Sequence, residues 1–472
     1  MSITSSFGVA RQIKKNNCTN TFFFHITVNA VLKQGKRIMN ETSAGKKLYL
    51  TDAQLKSELS HCLQCKGKPC MKACPSNCSP ADFIALAKNG TVQDIKKAAL
   101  NILKSNPLGE MCGLTCPADR FCMKVCLRQN LDNPVKIPAV QATILKKARE
   151  IRPHEYPPSV EPNGKNIAVV GAGPAGMAAV AVLARKGYSV TVLEASGEIG
   201  GAAKLIPDER LPLEVIKKDW EFIKSFGDIR LLKNTYVANP ADLLKDGYDG
   251  VIYAVGTQKP TVMGIEGENF AIPFKAYLSS PDDYATKGNV AVLGGGAVAA
   301  DCAVTAAHLG AQNVEMFVRR RIADMTLTGE DRQRLLDNYI DITGMTRVKK
   351  IIRTGNTFTL YTCKTRFNGK KLEDIPDTTV PRPDFTYVVM AVGAHADPKM
   401  QTERVLYAGD CDHGGSTVVE AVASGKNAAE RLHTTLTGEM QEIFCPVTKG
   451  VEYKAKSCSV ALGIDIEESF DI

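Results

Sequence analysis

The chain has 472 residues, 44% hydrophobic and 23% charged, with 38 glycines, one tryptophan and a formal charge of +9. That is enough apolar material for a large core, and it excludes a disordered or collagen-like chain. The excess charge sits in residues 1–50, where eight Lys or Arg face one acid, Glu41; the remainder carries 51 basic and 49 acidic residues, too even a balance for a nucleic-acid-binding surface.

Residues 1–48 form a basic leader, rich in Ser, Thr and Asn, that reads as a targeting segment or as a loosely held arm. From Thr51, Leu55 and Leu59 mark a short helix leading into His61-Cys62. Nine of the 15 cysteines then fall between Cys62 and Cys126. Between their two runs, Ser79 to Ser105 carries helical apolar spacing, first Phe83, Ile84, Leu86 and Ala87, then Ile95, Ala98, Ala99, Ile102 and Leu103. The thiol runs therefore lie on turns held by helices. A proline-rich linker, Arg152 to Pro158, closes a helical domain assigned to residues 49–150. Phe22 to Leu32 is too short to cross a membrane, and glycines break Ile167 to Ala184 near its start, so no membrane span is expected.

The rest of the chain contains an internal repeat. Ile167 to Val170 runs into Gly171-x-Gly173-Pro174-Ala175-Gly176, and a second strand, Ser189 to Leu193, ends at Glu194. Val290 to Leu293 runs into Gly294-Gly295-Gly296-Ala297-x-Ala299, and Val314 to Val318 ends at Arg319. Each unit is trailed by a strand ending in Ala-Val-Gly, the first over Val251 to Gly256 and the second closing on Ala391, Val392 and Gly393. Two βαβ units of this form imply one dinucleotide each. In the first, the glycines permit a tight turn and close approach to a pyrophosphate, and Glu194, 23 residues after Gly171, accepts from ribose hydroxyls, as FAD requires. In the second, Arg319 and Arg320 stand where the acid would be. Guanidinium groups there suit the 2′-phosphate of NADPH, unless they are solvent-facing strand-end charges. Gly409-Asp410 follows a third strand, Val405 to Ala408, and Thr417 opens a helix running to Leu432; Asp410 suits a ribityl hydroxyl and the helix N-terminus the pyrimidine side of a flavin.

The first thiol run reads Cys62-x2-Cys65-x4-Cys70-x3-Cys74-Pro75, and the second Cys112-x3-Cys116-Pro117-x4-Cys122-x3-Cys126. Such spacings and the repeated Cys-Pro suit [4Fe-4S] ligation. Four thiolates per ion also suit zinc, but zinc is redox-inert, whereas two nucleotide units call for an electron exit.

The stretch His61 to Gln141, with Ser105-Asn106-Pro107-Leu108-Gly109 before Cys112-Gly113, resembles the N-terminal iron–sulfur domain of dihydropyrimidine dehydrogenase. The likeness continues to about residue 440, in the arrangement of glutamate synthase small subunits and related NAD(P)H reductases. It implies two [4Fe-4S] clusters, one on Cys62, Cys65, Cys70 and Cys126, the other on Cys74, Cys116, Cys122 and Gln141, with Cys78 and Cys112 left over as buried small residues. It also implies that Gly200, Gly201 and Arg210 line the flavin site, that Tyr236 approaches FAD, and that Ala391-Val392-Gly393 approaches NADPH. The pattern departs at Thr326, where a second arginine is usual, and nothing after residue 440 supplies an FMN barrel.

The expected fold is α/β: two Rossmann-like dinucleotide-binding domains, a discontinuous FAD domain (165–285 and 399–440) with an inserted NADPH domain (286–398), preceded by the α-helical iron–sulfur domain and followed by a tail, 441–472. The expected activity is an NADPH-dependent flavoprotein oxidoreductase. It passes hydride from NADPH to FAD and single electrons through two [4Fe-4S] clusters to an acceptor protein. Candidate acceptors are an FMN-containing subunit, a glutamate synthase large subunit or a ferredoxin. Rivals are a stand-alone reductase of quinones, nitro compounds or oxygen, and a redox sensor without turnover. Reduced thiols fit a reducing compartment, cytoplasm or an organelle matrix.

Overall fold

The computed structural model describes residues 48–151, 160–397 and 399–439; the leader, the proline-rich linker and the tail lie outside the described residues. Thr51 opens helix α1 (Asp52–His61) through a reciprocal cap with Gln54. The apolar spacing from Ser79 to Ser105 resolves into two helices, α2 (Pro80–Ala87) and α3 (Val92–Ser105). Gly90 turns the chain at φ +72° between them, and the Thr91 hydroxyl accepts from the Asp94 amide to start α3. Helices α4 (Gly109–Thr115) and α5 (Ile137–Ile151) then cross at close range. A Cβ on Gly113 would stand 2.8 Å from the Ala142 nitrogen.

The first nucleotide unit supplies β1 (Asn166–Val170), α6 (Pro174–Ala184), β2 (Ser189–Leu193), α7 (Leu213–Lys224), β3 (Ile229–Leu232) and β4 (Gly250–Tyr253). The second supplies β5 (Asn289–Leu293), α8 (Ala297–His308), β6 (Asn313–Phe317), α9 (Gly329–Asp337), β7 (Asp341–Thr343) and three long strands, β8 (Thr346–Thr354), β9 (Thr357–Phe367) and β10 (Val380–Met390). The chain then returns through β11 (Val405–Tyr407) and closes with α10 (Val418–Thr437). One sheet has the order β11-β4-β1-β2-β3, with every pair parallel. The other runs β8-β9-β10-β5-β6-β7, with two short strands beside it; its nucleotide-type half is parallel and β8-β9-β10 antiparallel. Because β11 pairs with β4, the first sheet is completed by a strand that follows the second unit in the chain.

The thiol-bearing helices have no separate core. Phe83, Ile84, Leu103, Met111 and Leu145 belong to the same buried cluster as Ile167, Met177, Trp220, Ile223 and Leu432 of the first unit, whereas the second unit has apolar clusters of its own. Three cationic side chains stitch that shared seam. Arg185 donates to the Leu103 and Lys104 carbonyls at 2.9 and 3.1 Å and stacks on Phe226. Lys426 of α10 donates to the carbonyls of Ser76, at 2.8 Å, and Ser105. Arg149 of α5 joins Glu110 of α4 to Asp219 of α7, both buried, while Asp219 also accepts from the Met111 amide at 3.1 Å. Burial holds the Asp219 carboxyl up at about 6 even beside the guanidinium.

Arg149→Met strands two carboxylates in the seam without their cation. The expected loss is about 3–5 kcal/mol of stability, read as a lowered denaturant midpoint; a midpoint within error of the parent shows that the seam does not depend on this cation.

Candidate functional site

The two glycine loops repeat one backbone solution. Gly171, at φ +99°, lies so close to the trailing strand that a Cβ would stand 2.6 Å from the Ala254 carbonyl oxygen; Gly294, at φ +143°, meets the Ala391 oxygen at 2.3 Å. Gly173 and Gly296 are the extended N-caps of α6 and α8, each with ψ near 180°. Pro174 and Ala297 are the first residues of those helices. A Cβ on Gly176 would lie 1.9 Å from the Gly171 oxygen, so only glycine closes the first turn this tightly; the second unit has Ala299 at that position, and a Cβ on Gly294 would stand 3.2 Å from its methyl group. Each glycine turn thus ends in the first turn of a helix directly after a strand, the arrangement that receives a pyrophosphate.

Around the first loop, Gly200 and Gly201 run against it: the Gly200 amide donates to the Ala172 oxygen at 2.8 Å, and a Cβ on Gly201 would lie 3.0 Å from the Gly173 Cα. Glu194 is buried at the end of β2, accepting from the Ala172 amide at 2.7 Å and from the Ser196 amide and hydroxyl at 2.9 and 2.8 Å. Gly409 abuts Ala175, and the Asp410 carboxylate accepts from the Ser416 amide and hydroxyl at 3.1 and 2.6 Å, with burial raising its pKa. Thr417 caps α10 reciprocally with Glu420. These elements, from four separate stretches of chain, border one cradle at the carboxyl edge of the first sheet.

Two residues that the resemblance places at the flavin have the following surroundings. Arg210 is ion-paired: its Nη1 donates to both carboxylate oxygens of Asp301 of α8, at 2.8 and 2.7 Å, and Arg334 joins the same carboxylate at 2.9 Å and Glu209 at 2.6 Å. The buried acid at position 301 captures it. Tyr236, beyond β3, is 78% exposed. At the second unit, Arg319 and Arg320 are exposed and form no ion pair among the described residues, whereas Arg321 is bidentate on Asp324 at 2.8 Å. Val392 and Gly393 follow Ala391 past β10, Gly393 at φ +105° with its carbonyl accepting from Thr261 at 3.1 Å; Gly295 lies against Val318.

Among the described residues no cysteine is joined to another in a disulfide. Cys62, Cys65, Cys70 and Cys126 line one apolar cavity with Leu63, Ile84, Val135 and Ile137. Cys74, Cys116 and Cys122 form a second set with mutually acting charges, Cys122 buried and the other two half-buried; Cys116 also feels Glu420 in the first turn of α10. Gln141 is buried, its Oε1 3.8 Å from the Cys78 sulfur and its Nε2 donating to the Gly109 carbonyl at 2.7 Å. Burial pushes Cys70 up to about 12 and Cys116 and Cys122 well above the usual thiol value, so these sulfurs stay protonated unless a metal replaces the proton. Among the described residues no three Cys, His, Asp or Glu converge on a point where one ion would sit. Zinc draws four sulfurs to about 2.3 Å of a single centre, whereas a cubane spreads its iron corners around a volume. The sulfur-lined cavity fits the cluster, and the paired glycine cradles fit two dinucleotides. Cys78 and Cys112 are both buried, and Lys426, also buried, escaped the motif reading; a lysine on the apolar stripe Val419, Val422, Ala423 and Ala429 of α10 is the signal that marks it as buried.

Comparison with known proteins agrees with this geometry. Residues 165–425 match the pyridine nucleotide-disulphide oxidoreductase family, and residues 39–152 match dihydropyrimidine dehydrogenase domain II, 4Fe-4S cluster. Escherichia coli K12 NAD-dependent dihydropyrimidine dehydrogenase subunit PreT is 29% identical over 81% of this chain and 94% of its own length. The E. coli K12 glutamate synthase [NADPH] small chain is 32% identical over 57% of this chain and 60% of its own. The NADPH-Fe(3+) oxidoreductase subunit beta of Geobacter sulfurreducens is 30% identical over 59% and 42%. No helix of the described residues is long and apolar enough to cross a membrane.

Gly176→Ala drives a methyl group into the Gly171 carbonyl. The expected product is a folded chain that retains its iron but purifies without visible flavin absorbance; normal flavin content in this variant places the flavin elsewhere.

Proposed function

Because the chain belongs to the pyridine nucleotide-disulphide oxidoreductase family, we propose that it is an NADPH-dependent FAD and iron–sulfur reductase serving an acceptor protein. The observation that supports this reading best is that both thiol sets pack against the one apolar core that also carries the first glycine cradle. The inner set, Cys74, Cys116 and Cys122, abuts α10 and thus the cradle of Gly171, Gly173, Gly176, Glu194 and Asp410; the outer set opens through Cys62 and Cys65 beside exposed Leu63. When bound, FAD exchanges a hydride with a nicotinamide and single electrons with [4Fe-4S] clusters, so a chain holding all of them couples two-electron to one-electron chemistry.

The protein's own part is placement. Helix starts at Pro174 and Ala297 offer amides to the two pyrophosphates, and the glycines let the backbone approach them. Glu194, acceptor-only, favours a ribose bearing free hydroxyls, while Arg319 and Arg320 favour a phosphorylated one. No general acid or base is needed for hydride transfer between two stacked rings, so positioning is the catalysis. PreT is named for NAD and the glutamate synthase small chain for NADPH, and the unpaired Arg319 and Arg320 align this chain with the latter.

The acceptor is a protein rather than a small molecule on the same grounds: the outer thiols lie at the surface, and both E. coli relatives are named as subunits or chains of larger enzymes. An FMN-containing subunit, a glutamate synthase large subunit and a ferredoxin each fit that role. Affinity purification of the full chain under anaerobic conditions should return such a redox protein.

Replacing Arg319 and Arg320 together by Ala should raise KM for NADPH by about tenfold or more, the equivalent of at least about 1.4 kcal/mol, and move KM for NADH by less than about twofold. Equal changes for the two nucleotides overturn the NADPH assignment.

A further inference from the structure

We infer that Arg332 is a positioning residue for the second nucleotide: it clamps the loop between Arg319 and Thr326 and so gives that cradle its preference for a 2′-phosphate. This rests on the NADPH reading above. Arg319 and Arg320 are exposed, and long side chains without fixed partners impose an ordering cost on any phosphate that recruits them. The main chain beneath them is held instead. The Arg319 carbonyl accepts from the Thr365 hydroxyl at 2.7 Å, and the Arg320 carbonyl from the Met345 amide at 2.9 Å. Arg321 is drawn onto the Asp324 carboxylate, and the Asp324 amide donates back to the Arg321 carbonyl at 3.0 Å. Met325 is buried, its Cγ 3.5 Å from where a Cβ on Gly295 would stand, and Thr326 forms a backbone bridge with Gly296. The loop thus starts at the strand end that bears two arginines and finishes on the glycine turn of the same cradle.

The middle of that loop is held by one side chain. Arg332, half-buried in the first turn of α9, reaches back across it: Nη1 donates to the Ile322 carbonyl at 3.3 Å, and Nη2 to the Ala323 and Met325 carbonyls at 3.4 and 3.2 Å. None of these bonds is short, yet one planar group holding three carbonyls fixes a loop as a single contact cannot. Arg332 forms no ion pair among the described residues, so its donors are spent on the loop. Two residues further along α9, Arg334 is taken by Asp301 and Glu209, at the seam with the first unit. A ribose with free hydroxyls carries no charge for Arg319 and Arg320 to meet. Loosening the loop therefore weakens the phosphorylated nucleotide selectively, because only that nucleotide depends on where the two arginines start from.

The test titrates the full chain with NADP+ and with NAD+ in a calorimeter. Arg332→Met, which keeps the length and removes the donors, is expected to raise Kd for NADP+ about fivefold or more and to move Kd for NAD+ by less than about twofold. Arg332→Lys keeps the charge but has one donor atom, so it should resemble Arg332→Met. In a chain already carrying Arg319→Ala and Arg320→Ala, adding Arg332→Met should change neither constant by more than about twofold, since the clamp acts through those two side chains. Unchanged NADP+ affinity in Arg332→Met, parental affinity in Arg332→Lys, equal weakening of both nucleotides, or an undiminished effect in the doubly substituted chain each overturns the assignment. A parent that binds NAD+ as tightly as NADP+ overturns the NADPH reading instead, a result distinguishable from a parent that prefers NADP+ and whose Arg332 variants keep that preference.

Discussion

The crossing of α6 and α10 ties the first nucleotide cradle to the thiol region. A Cβ on Gly425 would fall 1.9 Å from the Ala175 carbonyl, so the helices touch backbone to backbone there. At the start of α10, Thr417 and Glu420 border the nucleotide cradle, and two turns on, Lys426 reaches the carbonyls of Ser76 and Ser105 beside the inner thiols. A helix is stiff over that length, and the close-packed core beneath it resists displacement. Cradle and thiols are therefore held at one spacing by a single element. The separation of about 250 residues in sequence between Gly171 and Lys426 has no bearing on it.

The two nucleotide units show how little has to change to alter what is bound. Their turns, helix starts and trailing strands superimpose in kind: Gly171 against Ala254 and Gly294 against Ala391 are the same close approach made twice. What differs is the strand end. Glu194 is buried with both carboxylate oxygens engaged, whereas Arg319 and Arg320 are exposed and without ion pairs among the described residues. The seams differ as well. The first unit shares an apolar core with the thiol helices, but it meets the second through Arg210, Asp301, Arg334 and Glu209, a polar seam of the kind found between domains that keep separate cores.

Local pattern carried far in this sequence. Glycine spacing, the strands before each loop and the thiol intervals all survive into the structure because each depends on a few adjacent residues: a positive φ at Gly171, a cap at Thr417, a turn at Cys74 to Asn77. What was not legible depends on partners far along the chain. Nothing near Arg210 signals that Asp301 will take its guanidinium, and nothing near Ser76 signals that a lysine 350 positions away will bind its carbonyl. The proline-rich stretch reads as a boundary, yet the cores on its two sides are continuous, since Phe83 and Ile223 belong to one cluster. Apolar periodicity reports that a face is buried but carries no information about what it is buried against.

The same burial that makes the inner thiols suitable for a cluster makes them dependent on one. Cys78, Cys116 and Cys122 lie in surroundings that hold a free thiol protonated, and Lys426 loses hydration there too, its pKa falling to about 8. The ammonium meets the Ser76 and Ser105 carbonyl dipoles whatever the state of the sulfurs, and metal-bound thiolates would add anions to its surroundings. Loading would therefore strengthen the seam between the thiol helices and α10. The apolar cluster can assemble without metal, because Phe83, Leu103, Leu145 and Trp220 need no counter-charge. The polar seam above it reaches its balanced state only when the sulfurs are ligated, so cofactor insertion and the final docking of α10 onto the thiol region are one energetic event.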